Sequence, residues 1–187
     1  MQFLKPRYLF EQPAWFYSRI LVGAGEMLTP AFVRKHNITH VINCALPEDS
    51  PFWFRNAHPI QYMCIGAFDS LNVNILDWYP KFERVLTAFL RVSGSGTVFV
   101  HCQCGINRSA FLALTYVTTH YSWPYEPMLI SLKRQRPCMF TNPVLRKQTE
   151  EFVNGRLQNS KDEGAGRERI IDGDSGLSPS GTSTDPA

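Results

Sequence analysis

An α/β fold is predicted: a central, mostly parallel, twisted sheet flanked by helices. Two observations predict it. Short runs rich in Val, Ile and Tyr alternate with runs of helical period over residues 16–157. One of them, Thr97–His101, passes through a glycine-bearing loop into a helix that is apolar nearly all round.

The elements follow in chain order. Strands are expected at Arg19–Val22, His40–Cys44, Gln61–Ile65 and Val98–Cys102, each bounded by turn residues. Thr29 reads as an N-cap with Pro30 behind it, opening a helix over Pro30–His36. Leu76, Tyr79, Phe82, Val85, Leu86 and Phe89 recur at helical spacing, so Ile75–Val92 is expected to be one amphipathic helix, broken at Ser93–Gly96. Arg108–His120 is expected to be a central buried helix, with further helices over Tyr125–Gln135 and Pro143–Leu157. The aromatic run Phe52-Trp53-Phe54 falls between two strands and reads either as cover for the sheet edge or as a contact loop for a partner or substrate.

Residues 1–15 read as an N-terminal extension, 16–157 as a single domain, and 158–187 as a disordered acidic tail rich in Gly and Ser. The tail carries a net charge of −3 and the whole chain +3, which leaves +6 on residues 1–157 and favours anionic ligands. No secretory leader is read in MQFLKPRYLFEQPAW, and no apolar run approaches the ~20 residues that span a bilayer. Five cysteines form no paired framework, so the expected setting is a reducing one, in the cytoplasm or nucleus, with thiols available for chemistry. Oligomeric state is not legible.

The chemistry concentrates in His101-Cys102-Gln103-Cys104-Gly105-Ile106-Asn107-Arg108-Ser109. This places Cys102 at the end of a strand and wraps the loop around a helix N-terminus, whose free N–H groups and positive dipole end attract anions. The same field, with Arg108, favours a thiolate at Cys102. Arg108 can grip two phosphate oxygens with its planar fork. Gly105 lets Gln103, Cys104, Ile106 and Asn107 curl their amides inward. Ser109 can donate to the sulfur, and His101 can brace the loop through backbone.

His101-Cys102-x-x-Gly105-x-x-Arg108-Ser109 resembles the signature of the protein tyrosine phosphatase superfamily. ILVGAGEML, FVRKHNITHVINCA and SLKRQRPCMFTNPVLRKQTEEF resemble the small dual-specificity branch over about residues 16–157. The resemblance implies a phosphatase of phosphotyrosine and phosphoserine/threonine in proteins, working through a phospho-cysteine and requiring no metal or cofactor. It also implies a general acid on a loop about thirty residues before the nucleophile. Asp69, 33 residues upstream of Cys102, meets that expectation, with Asp77 as the rival. Asn142, ahead of the last helix, is implied as support for the loop. Cys44 is a candidate redox partner of Cys102, against a packed core thiol. Cys104 stands where relatives carry a small residue and reads as either a buried thiol or half of a redox or metal pair.

Two alternatives stay open. Gly-Ile-Asn107-Arg also occurs in relatives that dephosphorylate RNA 5′ ends, so nucleic acid is a possible but disfavoured partner; those relatives usually follow the Arg with Thr rather than Ser109. The chain can also be read as a low-activity phosphate-binding module. Neutral Gln103 and Ile106 argue against phosphoinositides. Lys133-Arg134-Gln135-Arg136 reads either as a phosphate contact or as a helix end that favours cations.

Overall fold

The structure, a computed structural model, describes residues 12–57 and 61–171, with side chains through 159. Five strands form one sheet in the order β1 (Ala14–Tyr17), β2 (Ile20–Ala24), β5 (Thr97–Cys102), β3 (Ile38–Asn43) and β4 (Tyr62–Cys64). β1 runs antiparallel to β2, and the other neighbours are parallel. The mostly parallel sheet expected from the sequence is therefore present.

Alternation along the strands divides the core. Ile20 and Val22 of β2 and Val98, Val100 and Cys102 of β5 face the larger layer, made by α3 (Tyr79–Arg91), α4 (Arg108–His120), α5 (Tyr125–Gln135) and α6 (Pro143–Ile171). Leu21 and Phe99 face the smaller layer, where Phe32 and Val33 of α1 (Pro30–Lys35) and Phe54 of α2 (Phe52–Ala57) pack. α4 lies at the centre of the larger layer, buried from Ser109 to Thr118. The hydroxyls of its buried threonines are satisfied within the helix: Thr115 donates to the Phe111 carbonyl at 2.8 Å and Thr118 to that of Leu114 at 2.7 Å.

Several elements depart from the expectation. β1 begins at Ala14, inside the expected extension, and buries Ala14 and Phe16 while leaving Trp15 and Tyr17 outward. Residues 1–11 lie outside the described residues. The single helix expected over Ile75–Val92 splits into a 3-10 turn (Ile75–Asp77) and α3, because Pro80 has no N–H to continue a helix but fits its first turn. The aromatic run is the helix α2, which buries Phe54 and leaves Phe52 68% exposed. α6 continues through 158–171, where composition predicts no order. The rest of the expected tail, 172–187, falls outside the described residues. The N-cap is as expected, with Thr29 Oγ1 accepting from the Phe32 amide at 3.2 Å. No helix among the described residues is long and apolar enough to cross a membrane.

Candidate active site

β5 ends at Cys102 and α4 begins at Arg108, so residues 103–107 bridge a strand's C-terminal end and a helix N-terminus. Four successive carbonyls of this loop are held from outside. Gln103 O accepts from the Gly25 amide at 3.2 Å and Ile106 O from the Phe140 amide at 2.9 Å. Cys104 O and Gly105 O accept from Arg136, through Nη2 at 3.0 Å and Nε at 3.2 Å. In a trans peptide the next N–H points opposite its carbonyl, so the amides of Cys104, Gly105, Ile106 and Asn107 turn toward the concave side. The first amides of α4 join them, lacking helical partners by construction.

Gly105 is irreplaceable here on two counts. Its φ is +64°, and a Cβ would come within 2.2 Å of the Gly23 carbonyl carbon on β2. Arg136 is completely buried and also donates to Gln12 O at 3.2 Å. It is thus a brace behind the loop, whereas the sequence left the Lys133–Arg136 cluster between a phosphate contact and a helix end. The Arg136-Pro137 pair was the available signal. What it touches lies 31, 32 and 124 residues away and could not be read from spacing.

The loop encloses a cavity of about 430 Å³, lined by Phe68, Asp69, Cys102, Gln103, Cys104, Ile106, Asn107, Arg108 and Thr141. Cys102 is 2% exposed, and its Sγ accepts from Ser109 Oγ at 3.3 Å. Arg108 Nη1 donates to Ala67 O at 3.2 Å, while its Nε is buried without a hydrogen-bond partner among the described residues. An anion in the cavity would supply that partner.

Asp69 reaches the cavity on the loop after β4. Gly66, at φ +80°, starts the turn, and the Ala67 amide donates to Cys44 O at 3.0 Å. The carboxylate then accepts from Asn107 Nδ2 at 3.2 Å and from Asn142 Nδ2 at 3.0 Å. Asn142 Oδ1 caps α6, accepting from the amides of Val144 and Leu145. Asn107 Oδ1 in turn accepts from Thr141 and from the Asn142 amide. Asn142 therefore supports the site through Asp69, and Asn107 ties the loop, Asp69 and the start of α6 together. That junction role of Asn107 was not legible. The rival Asp77 is exposed in its 3-10 turn and does not line the cavity.

His101 sits behind Cys102, completely buried. Its Nδ1 lies 3.2 Å from Cys102 O and its Nε2 2.7 Å from Ser50 Oγ. A carbonyl can only accept, so Nδ1 carries the proton and Nε2 accepts from serine. Burial, with a smaller push from Arg108, lowers the imidazole to about 4. The unfolded chain takes up a proton near its ordinary value of 6.5, which the fold resists until about 4, so stability falls as pH drops through that window. Urea midpoints should therefore fall more between pH 7 and pH 5 for the native chain than for His101→Asn. Parallel losses would remove His101 from this role.

Cys44 follows the Asn43–His101 register pair, with its amide donating to His101 O at 2.7 Å, so it sits beside Cys102 across the two strands. Neither is in a disulfide, and burial, reinforced by the neighbouring Cys102 sulfur, pushes the Cys44 thiol well up. Cys104 is partly exposed and lines the cavity. Beyond Gln103 and Cys104 lies a second cavity, lined in part by Glu26, Glu48 and Asp49. Among the described residues no group of three or more His, Cys, Asp or Glu is placed to hold a metal ion.

Comparison with known proteins agrees with this geometry. Residues 20–154 match the family model for the dual specificity phosphatase catalytic domain. The chain is 28% identical over 131 residues to dual specificity protein phosphatase 19 of Mus musculus, covering 70% of this chain and 56% of that one. It is 31% identical over 135 residues to dual specificity protein phosphatase 22-B of Danio rerio, covering 68% of this chain and 66% of that one. The match thus spans less than two thirds of each relative's length. In fold it is similar to the crystal structure of DUSP15, with a TM-score of 0.64 and 23% identity, covering 81% of this chain and 93% of that one. It is equally similar to human tyrosine phosphatase-like serine/threonine/tyrosine-interacting protein, with a TM-score of 0.65 and 20% identity over 78% of this chain and 97% of that one. With the family model matched over most of its length and the cysteine, arginine and aspartate gathered at one cavity, this chain belongs to the dual specificity phosphatase family.

Proposed function

We propose that this chain hydrolyses phosphate monoesters on the tyrosine, serine and threonine side chains of proteins, through a covalent phosphate on Cys102. The observation that carries the reading is the convergence of Cys102, Arg108 and Asp69 on one cavity whose loop carbonyls from Gln103 to Ile106 are turned outward. The substrate phosphate sits in the ring of amides, with two oxygens on the Arg108 fork. The Cys102 thiolate attacks phosphorus while Asp69 delivers a proton to the departing oxygen, releasing the protein hydroxyl. Water then attacks the phospho-cysteine, giving its proton to Asp69, and the sulfur leaves as thiolate. Ser109, donating at 3.3 Å, stabilises that leaving sulfur.

Protein substrates are favoured over RNA 5′ ends by the carboxylates beside the loop. Glu26, Glu48 and Asp49 line the neighbouring cavity and would repel a polyphosphate leaving the site in that direction. Rates on phosphopeptides and on triphosphate-ended RNA test this, and preferential turnover of the RNA would overturn it. A bare phosphate-binding module is disfavoured because nucleophile, acid and anion clamp are all in place.

Asp69→Asn keeps the hydrogen-bonding shape and removes the transferable proton. Its first step should slow by on the order of 10²–10⁴-fold for alkyl phosphates, whose leaving groups are poor, and far less for activated aryl phosphates. Single-turnover rates across a leaving-group series check this. A uniform loss along the series would take the general-acid role away from Asp69.

A further inference from the structure

Phe68 is out of place as a folding residue. Ala67 before it is completely buried, yet Phe68 is 55% exposed. It is nonetheless held. The backbone on one side is fixed by the Ala67 amide on Cys44 O and by Arg108 on Ala67 O. On the other side Asn107 and Asn142 fix the Asp69 carboxylate. Trp78 meets the ring at a tilt of 66°, with centroids 6.0 Å apart. An anchored, water-exposed aromatic ring thus forms one wall of the cavity that contains Cys102 and Arg108, and Ile106 also lines it.

From this we infer that Phe68 is a specificity-determining residue that selects phosphotyrosine over phosphoserine and phosphothreonine. The inference rests on the phosphatase reading above and narrows its substrate class. With phosphate at the amide ring, the group attached to the bridging oxygen lies along the cavity wall. In phosphotyrosine that group is a flat six-carbon ring, which can cover the exposed Phe68 ring and pack against it in an offset or edge-on geometry. In phosphoserine and phosphothreonine a single carbon separates the ester oxygen from the peptide backbone, so no comparable apolar face is presented. Packing between aromatic rings supports a preference of about 5- to 10-fold beyond the intrinsic difference between the esters.

The test compares two peptides with identical flanks, one carrying phosphotyrosine and one phosphothreonine, with the native full chain, Phe68→Ala, Phe68→Leu and Phe68→Tyr. For Phe68→Ala, kcat/KM should fall about 5- to 10-fold more on the phosphotyrosine peptide than on the phosphothreonine peptide. Phe68→Leu should fall in between, and Phe68→Tyr should keep the native ratio. If the ring merely positions Asp69, its loss would slow the poorer leaving group more, so the ratio would move the opposite way. That result, or an unchanged ratio, overturns the inference while leaving the phosphatase reading intact. A native chain that hydrolyses neither peptide overturns both. Thermal unfolding of the variants guards against a general loss of fold, and a lowered midpoint in Phe68→Ala alone leaves Phe68→Leu and Phe68→Tyr to decide.

Discussion

Cys102→Ser is expected to lose turnover by on the order of 10⁴-fold or more, as removal of a nucleophile does in other covalent hydrolases, while still binding phosphate. The reason is specific to the site. A thiolate at a helix N-terminus needs no base, but a serine hydroxyl in the same place does. The histidine behind it is not available as one. His101 points its protonated Nδ1 at Cys102 O, and its other nitrogen is occupied by Ser50. The amide ring and Arg108 stay in place, so the variant should hold a phosphopeptide without consuming it. Residual turnover within tenfold of the native rate would show that another group performs the attack.

Arg108→Lys is the second large effect, with kcat/KM falling on the order of 10²–10³-fold. Lysine keeps the charge and loses the fork. It also loses the bond from Nη1 to Ala67 O, which ties the anion clamp to the loop that carries Asp69. Both consequences are worst in the transition state, where charge spreads over the equatorial oxygens, so kcat should fall as well as substrate affinity. Steady-state kinetics with inhibition by inorganic phosphate separates these parts. A change in KM alone would reduce Arg108 to a binding residue.

The chemical centre was readable because its determinants are local. A buried β-run, a glycine at the middle of the loop, an arginine and an apolar helix lie within one short stretch of sequence, and the structure places them as strand, loop and α4. Asp69 was readable only through resemblance, since nothing in Gly66–Ser70 itself distinguishes an acid from a loop carboxylate. What escaped was non-local or short. β1 has four residues after a proline, too few for alternation to register. Pro80 falls inside a perfect apolar period, and its backbone chemistry overrode that period. Arg136 looked like a surface cation because its partners are the carbonyls of Cys104, Gly105 and Gln12. Asn107 looked like one more loop amide, although its side chain joins Asp69 to Thr141 and Asn142, from two separate segments.

The most direct measurement is to quench an Asp69→Asn sample turning over an activated aryl phosphate with acid and map phosphate by mass spectrometry, since the first step then needs little help from the acid and the loss of the base in the second step should let the intermediate accumulate. A phosphate linked through sulfur on the peptide that contains Cys102, absent from Cys102→Ser, is the predicted result. Phosphate released at full rate by the native chain, with no label on that peptide and oxygen from solvent entering in a single direct displacement, would contradict it.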